Sequence, residues 1–245
     1  MSRNRMRFVW ITALAYPAMM AALWLSTSHS YQDAHLIMRD RWWFIAGIAS
    51  VTLAMAKLSG TKINHSRRLG GVSWLLIVCV AIVVVGGVQT IHEPGTDTHV
   101  AAATILGTFF VGIGEEVAYR GIVFNLLAQR YSIIKTVIAS SLLFGLLHAV
   151  NVIVQDAQMT ISQVVITTIL GTTFAWTYVS ARGNLLLVIS LHWLYDAFLL
   201  TPKASAAGVN PNAGVAFLLF ATAVIMFIHG AIRYRGHMWS EVLTT

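Results

Sequence analysis

Two adjacent glutamates lie inside one of the most apolar stretches of the chain. Glu115 and Glu116 are followed by Arg120, and the run from 104 to 127 contains no other charged residue. A charge near the centre of a bilayer costs at least about 2.5 to 3.5 kcal/mol on insertion scales, so ionisable residues there are candidates for a functional site. The alternative is a solvated carboxylate pair at a helix end. The apolar flanks favour the functional interpretation.

Two further polar clusters occur in other apolar segments. Phe144 precedes His148 by four positions, with Asn151 one turn later, and His192 precedes Asp196 by four. Positions four apart share one face of a helix, so each pair is predicted to be in contact. His148 alone could equally be a packing residue, whereas two ionisable groups in one turn of a spanning helix favour function.

The spacing also suggests a division of labour between the two glutamates. Glu116 lies four residues before Arg120, so this pair is predicted to form an ion pair that keeps Glu116 ionised. Glu115, on an adjacent face, would remain free to act on water. Asp196 could accept a proton from one nitrogen of His192 and fix its tautomer, as carboxylates commonly do for catalytic histidines.

The composition predicts an all-α polytopic membrane protein. Of 245 residues, 57% are hydrophobic and 10% charged, against roughly 25% charged in a soluble domain. Windows of about 20 apolar residues mark bilayer-spanning helices. We expect a single integral-membrane domain, 1–245, that forms a bundle of about eight transmembrane helices. The predicted helices lie near 8–25, 42–58, 72–90, 100–129, 136–153, 160–180, 184–200 and 214–232.

The three polar clusters fall on the predicted catalytic helices 100–129, 136–153 and 184–200. The first would be about 45 Å long as one straight helix, more than the hydrocarbon thickness, so it must tilt, break or run along the interface. In one version it is continuous. In the other it stops near Glu116, after Gly112 and Gly114, and 118–129 form an interfacial helix.

The basic residues predict that both termini are cytoplasmic. The net charge of +7 is spread over short clusters between apolar segments, which favours membrane topology over nucleic-acid binding. The predicted outside loops carry Arg39, Arg41 and Lys203, and Arg120 stays in the membrane. The inside positions are Arg3, Arg5, Arg7, Lys57, Lys62, Arg67, Arg68, Arg130, Lys135, Arg182, Arg233 and Arg235. The apolar run 8–25 is too long for a usual signal peptide and is predicted to be a first span.

The three clusters in this order resemble the signature of the CPBP family of intramembrane proteases. That family includes CAAX prenyl endopeptidases and bacteriocin-processing or self-immunity proteins. The resemblance implies a helical membrane fold and peptide hydrolysis, with Glu115 as the general base and His148 assisting it. His192 with Asp196 would bind water or a metal or stabilise the oxyanion, and Glu116 and Arg120 would be supporting partners.

Asp196, the last position of the third motif, does not suit one of those roles. The family pattern admits Asn or Asp, and an ionised Asp196 cannot donate a hydrogen bond to an oxyanion. Orientation of His192, or metal binding, suits it better. Phe144 and Asn151 are expected to contact the catalytic side chains and hold them in position.

A divalent metal such as Zn²⁺ is a candidate cofactor, and a metal-free Glu-activated water would use the same residues. The single cysteine, Cys79, excludes a cysteine-based metal site, and no His-Glu-x-x-His helix is present. The natural metal ligands would be Glu115, His148 and His192 from three helices.

These observations predict an intramembrane endopeptidase that acts on a membrane-associated substrate with a prenylated or otherwise hydrophobic C-terminus. Its expected partners are membrane lipid and a peptide or protein substrate, without nucleic acid, and its expected location is the bacterial inner membrane. Two alternatives stay open. One is a non-proteolytic membrane binding or immunity protein, and the other is an ion-coupled transporter or haem-binding electron carrier.

Overall fold

The computed structural model describes residues 3–61, 63, 66–69, 71, 73–92, 94–201 and 213–244. Within these ranges all regular secondary structure is helical. We number nine α-helices within these ranges, and a further α-helical turn at Asn125–Leu127 is described with the fourth of them. They are α1 Arg3–Leu25, α2 Ala34–Ser59, α3 Ser73–Ile91, α4 Thr98–Glu116, α5 Ile133–Leu146, α6 Ala157–Ser180, α7 Leu185–Leu200, α8 Ala213–Arg233 and α9 Trp239–Thr244.

Polar residues at the N-termini fix where several helices begin. The Asp97 carboxylate accepts hydrogen bonds from the backbone N–H groups of His99 and Val100 at the start of α4. Asp156 starts α6 and Asn184 starts α7 in the same way, each accepting from a backbone N–H three residues on. Such caps satisfy amide groups that have no partner within the helix.

Helix α4 does not end at Glu116 but continues in altered form. Residues Val117–Phe124 form a π-helical segment, followed by a last α-helical turn at Asn125–Leu127. All eight residues of the π-helical segment are buried. The Asn125 side chain donates to the carbonyl oxygens of Arg120 and Gly121, both at 3.0 Å, near the end of the segment. The wider π turn therefore lies within the bundle and is held by a buried amide.

The π-helical segment is the centre of the molecule. It contacts α1, α2, α5, α6 and α7, while α4 itself packs against α2 on one side and α7 on the other. Helix α5 packs against α6 and continues as a 3₁₀ segment, Leu147–Ile153, which contacts α1. The glutamates at the end of α4 are thus surrounded by the helices that carry the other two motifs.

The predicted apolar segments all correspond to helices, with differences at their ends. Among the described residues, five helices are long and apolar enough to cross a membrane, including 98–127, 133–153 and 157–180. Three further apolar stretches, Ser73–Gln89, Leu185–Leu200 and Phe220–Arg233, lie in α3, α7 and α8. The protein therefore has the helices of an integral membrane protein, and eight crossings stay a prediction.

The helix does not stop at Glu116, because Thr98–Leu127 is one continuous helical stretch. Residues Ala118–Ala128 are buried in the bundle. Whether this stretch lies along the interface stays a prediction. Of the basic residues used to predict orientation, Lys62 and Lys203 lie outside the described residues, and the orientation stays a prediction.

Candidate active site

The predicted ion pair between Glu116 and Arg120 is present and wholly buried. Arg120 Nη1 donates to Glu116 Oε1 at 2.8 Å, and both side chains are at most 1% exposed. Arg120 Nη2 donates to the carbonyl oxygen of Gly171 on α6 at 2.8 Å. A planar guanidinium can hold two acceptors at once in this way, which a lysine ammonium does less well. The pair therefore anchors α4 to α6.

His192 on α7 lies between carboxylates. Its Nδ1 is 2.7 Å from Glu116 Oε1, and its Nε2 is 3.2 Å from Asp196 Oδ2. The second contact is the predicted one, and the first joins residues 76 positions apart. A ring with hydrogen on both nitrogens can donate to both carboxylates. Glu116 therefore orients both His192 and Arg120.

Aromatic rings enclose this polar group. The ring of Phe174 stacks on His192 with centroids 4.9 Å apart, and the Arg120 guanidinium lies 4.3 Å from the ring centroid of Phe144. Phe144 also contacts the imidazoles of His148 and His192, with centroid distances of 5.6 and 6.0 Å. The predicted contact between Phe144 and His148 is therefore present, and Phe144 touches both histidines.

Glu115 differs from its neighbour in facing open space. It lines a cavity of about 910 Å³, whereas Glu116 and Arg120 do not. Its closest ionic contact is with His192 Nε2, 3.9 Å from Glu115 Oε2, which is too long for a hydrogen bond. The side chain is only 4% exposed. Glu115 is thus the buried carboxylate that a bound molecule or water can reach.

His148 enters the same cavity from the 3₁₀ segment after α5. Its Nδ1 is 3.2 Å from the carbonyl oxygen of Phe144, so this nitrogen carries the hydrogen of the neutral ring. The other nitrogen, Nε2, then keeps its lone pair. The cavity is lined by His148, His192, Asp196 and Glu115 together, so all three predicted helices contribute to it.

The described residues do not form the predicted metal site. Among them, no group of three or more His, Cys, Asp or Glu side chains is arranged to hold a metal ion. A histidine ligand must offer a free nitrogen lone pair, and both nitrogens of His192 lie within hydrogen-bond distance of carboxylates. The set Glu115, His148 and His192 therefore stays a prediction, and the three side chains line one cavity.

Comparison with protein families places this site within a known domain. Residues 97–198 match the family model for type II CAAX prenyl endopeptidase Rce1-like proteins. Over this range the chain is similar to the Rce1-like domain. The matched range begins at the cap of α4 and ends two residues after Asp196, so the Rce1-like domain includes every predicted site residue. This confirms the resemblance to the CPBP family. Comparison with curated proteins gave no match.

Asn151 is predicted to support the site, and the structure shows its contacts. Asn151 lines the cavity, but its side chain is used in a hydrogen-bond cluster. Its Oδ1 accepts from Trp24 Nε1 at 2.8 Å and its Nδ2 donates to Gln163 Oε1 at 2.9 Å. Gln163 in turn bonds Gln155 and the hydroxyl of Tyr31. Asn151 therefore ties the 3₁₀ segment to α1 and α6.

Several residues of the site escaped the sequence analysis. The Gly171 carbonyl and the Phe174 ring hold Arg120 and His192 from α6, a helix for which no role was predicted. A backbone carbonyl leaves no trace in residue type, so Gly171 could not have been found this way. Gln163 could have been, because a glutamine inside a long apolar segment is itself unusual.

Proposed function

We propose that the protein is an intramembrane endopeptidase that hydrolyses a peptide bond of a membrane-associated substrate. The observation that carries this proposal is that Glu115, His148, His192 and Asp196 line one cavity within the Rce1-like domain. Membership of a CAAX prenyl endopeptidase family supports proteolysis as the chemistry. The arrangement also provides a base and imidazoles, which hydrolysis by water requires.

Glu115 is proposed as the general base. It faces the cavity without a close ionic partner, because its neighbour Glu116 takes Arg120 and His192 Nδ1. A water that donates to the Glu115 carboxylate would lose its proton to it while its oxygen attacks the carbonyl carbon of the substrate. The proton is then available for the amine that leaves. Proton transfer of this kind contributes about 10²- to 10⁴-fold.

His192 is proposed to act on the carbonyl oxygen. With hydrogen on both nitrogens it is positively charged beside the cavity, and its Nε2–H lies on the side of Glu115. Asp196, when ionised, only accepts hydrogen bonds. Its role is therefore to orient His192 from Nε2 before the substrate binds. We propose that the Nε2–H then donates to the carbonyl oxygen of the substrate as negative charge develops there, while Nδ1–H stays on Glu116.

His148 is proposed to assist the water or the leaving group. Because its Nδ1 faces the Phe144 carbonyl, Nε2 is the nitrogen that exchanges a proton. Phe144 fixes the ring from below at a centroid distance of 5.6 Å.

The rest of the cavity suits a substrate with apolar groups. Its lining continues along α1 and α2 with side chains such as Leu23, Ile37, Met38 and Ile45. A volume of about 910 Å³ lies at the upper end of the range for ligand pockets. We therefore propose a peptide with a prenyl or other hydrophobic attachment as the substrate, and the bacterial inner membrane as the location.

The proposal is tested by cleavage of membrane-anchored peptides by the protein in lipid vesicles, with products identified by mass spectrometry. Glu115→Gln removes the base without changing side-chain size, and cleavage should fall at least about 10²-fold. Glu241→Gln is the matched control, since Glu241 is exposed on α9, and should cleave like the wild type. Wild-type cleavage by the Glu115→Gln variant would contradict the role given to Glu115, and absence of cleavage by the wild-type protein would favour a non-proteolytic role.

A further inference from the structure

We propose that residues 234–239 hold the π-helical segment in place, and that Trp239 among them is a positioning residue for the active site. This inference rests on the proposed peptidase function and concerns the part of the chain that fixes the geometry of the site. Residues 234–239, here called the C-terminal clasp, lie outside the range 97–198 that is similar to the Rce1-like domain. The contacts of Trp239 carry the inference.

Trp239 is the first residue of α9 and packs into the bundle. It is buried, although the nearby residues His237 and Ser240 are exposed. Its ring stacks on that of Tyr178 in α6 with centroids 5.6 Å apart, and it meets the ring of Phe124 edge-on at 5.4 Å. Aromatic rings in stacked and edge-to-face arrangements attract each other beyond the effect of burial alone. Trp239 therefore contacts both α6 and the last residue of the π-helical segment.

Tyr178 connects this contact to the amide that holds the π-helical segment. The Asn125 side-chain nitrogen lies 3.0 Å from the Tyr178 hydroxyl oxygen and 3.0 Å from the carbonyl oxygen of Arg120. An asparagine amide has two hydrogens to donate, so a hydroxyl that takes one of them fixes the direction of the other. The place of the Tyr178 ring, which Trp239 covers, thus sets the amide that bonds the backbone at Arg120.

The backbone at Arg120 connects the clasp to the polar residues of the site. Glu116 Oε1 contacts Arg120 Nη1 at 2.8 Å and His192 Nδ1 at 2.7 Å. A π-helical turn is rare and closes on the fifth residue, where an α-helix closes on the fourth, so the same residues have an α-helical alternative. A change to it would rotate the Arg120 side chain relative to Glu116 and displace the partner of His192. Stabilising the π-helical form therefore keeps the site assembled.

Two further contacts fix the clasp itself. The carbonyl oxygen of His237 accepts from the backbone N–H of Ile133, the first residue of α5, at 3.0 Å. The Tyr234 ring stacks on Trp176 of α6 with centroids 6.0 Å apart. Helices α5 and α6 both contact the π-helical segment. The clasp is thus joined to two helices around the segment, and Trp239 is held between them and Phe124.

The first test measures hydrogen–deuterium exchange of the backbone at 117–127 by mass spectrometry, in the full chain in lipid nanodiscs. Trp239→Ala removes the ring, and exchange there should become at least about fivefold faster because local opening costs less. Trp239→Phe keeps an aromatic ring and should restore most of the protection. Leu243→Ala, on an exposed position of the same helix, is the matched control and should exchange like the wild type. Equal exchange in Trp239→Ala and the wild type would overturn the inference.

The second test separates positioning from general stability by steady-state kinetics at a temperature where every variant is folded. Trp239 does not line the cavity, so Trp239→Ala should lower kcat about fivefold and change KM less than about twofold. Trp239→Phe should recover most of kcat. Met226 is fully buried on α8, and Met226→Ala should lower the unfolding temperature by leaving a cavity but keep kcat. An equal loss of kcat in Met226→Ala and Trp239→Ala would overturn the positioning role.

A double-variant comparison tests the route through Tyr178. Tyr178→Phe keeps the ring under Trp239 and removes the hydroxyl that bonds Asn125. If both act on one amide, the double variant should lose little more kcat than the more affected single variant. Independent, multiplying losses would overturn this route.

The exchange and cleavage results together distinguish this inference from the proposed function. Faster exchange in Trp239→Ala with kcat unchanged would overturn the inference alone. Faster exchange in a protein whose wild type cleaves no peptide would overturn the peptidase function, while the hold of the clasp on the π-helical segment would be supported.

Discussion

Glu115 and Glu116 are neighbours in the chain but occupy different surroundings. Glu116 is fully buried, and one of its oxygens contacts both Arg120 and His192 at 2.8 and 2.7 Å. Glu115 faces the cavity instead. Successive helical residues point about 100° apart, so a glutamate pair provides one carboxylate for the framework and one for the reaction.

A substitution at Arg120 tests whether its buried contacts hold the site together. Arg120→Lys keeps the charge but cannot hold Glu116 and the Gly171 carbonyl together, or lie flat on Phe144. We expect a loss of about 2 kcal/mol or more in the free energy of unfolding, with a lower kcat because His192 loses its fixed partner. Thermal unfolding in detergent and the cleavage rate measure both. A variant with wild-type stability would contradict this account of Arg120.

At the scale of elements, the π-helical segment and α6 position the site together. The segment carries Arg120 into the bundle, and α6 meets it with the Gly171 carbonyl and the Phe174 ring. The approach at Gly171 is close, because a Cβ there would lie 2.8 Å from Phe144 Cδ1. Glycine is required at this point for Phe144 to lie over Arg120 and against both histidines.

Gly171→Ala should therefore displace Phe144 and lower the cleavage rate. Overpacking of a buried site costs about 1 to 3 kcal/mol, and the matched control is Gly121→Ala within the π-helical segment. A Cβ at Gly121 would meet its nearest neighbour at 3.6 Å, an ordinary contact, so this variant should retain stability and activity. The two variants are compared by unfolding temperature and by kcat. Equal behaviour would contradict the role given to Gly171.

The elements also show what the sequence could predict. Hydropathy located the helices, and a spacing of four residues predicted the contacts of Glu116 with Arg120 and of His192 with Asp196. Both pairs lie within one turn of a single helix, where geometry follows from local structure. The contact of His192 with Glu116 depends on how α4 and α7 pack, and the π-helical segment has no sequence rule, so neither could be predicted.

At the scale of the whole molecule, the cavity lies where α1, α2, α4, α5, α6 and α7 meet. Its polar residues occur in two groups, the carboxylate and histidine site and the hydrogen-bonded cluster of Trp24, Asn151 and Gln163. Apolar side chains of α1 and α2 line the space beyond the site. A mostly apolar cavity with a charged centre suits a lipid-bearing peptide.

The orientation of this bundle in the membrane is predicted by its basic residues. A fluorescent-protein fusion at the C-terminus of the full chain, which fluoresces only in the cytoplasm, should be bright. A phosphatase fusion at the same position, active only outside, should be inactive. The reverse pattern would contradict the orientation inferred from the excess of lysine and arginine in the inside segments.

The measurement that tests the central claim most directly compares Glu115→Gln with Glu116→Gln by kcat and unfolding temperature. Glu115→Gln should unfold like the wild type but lose cleavage by at least about 10²-fold. Glu116→Gln should be destabilised by about 3 kcal/mol, because it leaves Arg120 buried without its counter-charge. Cleavage at the wild-type rate by a folded Glu115→Gln variant would contradict the claim that this carboxylate activates water.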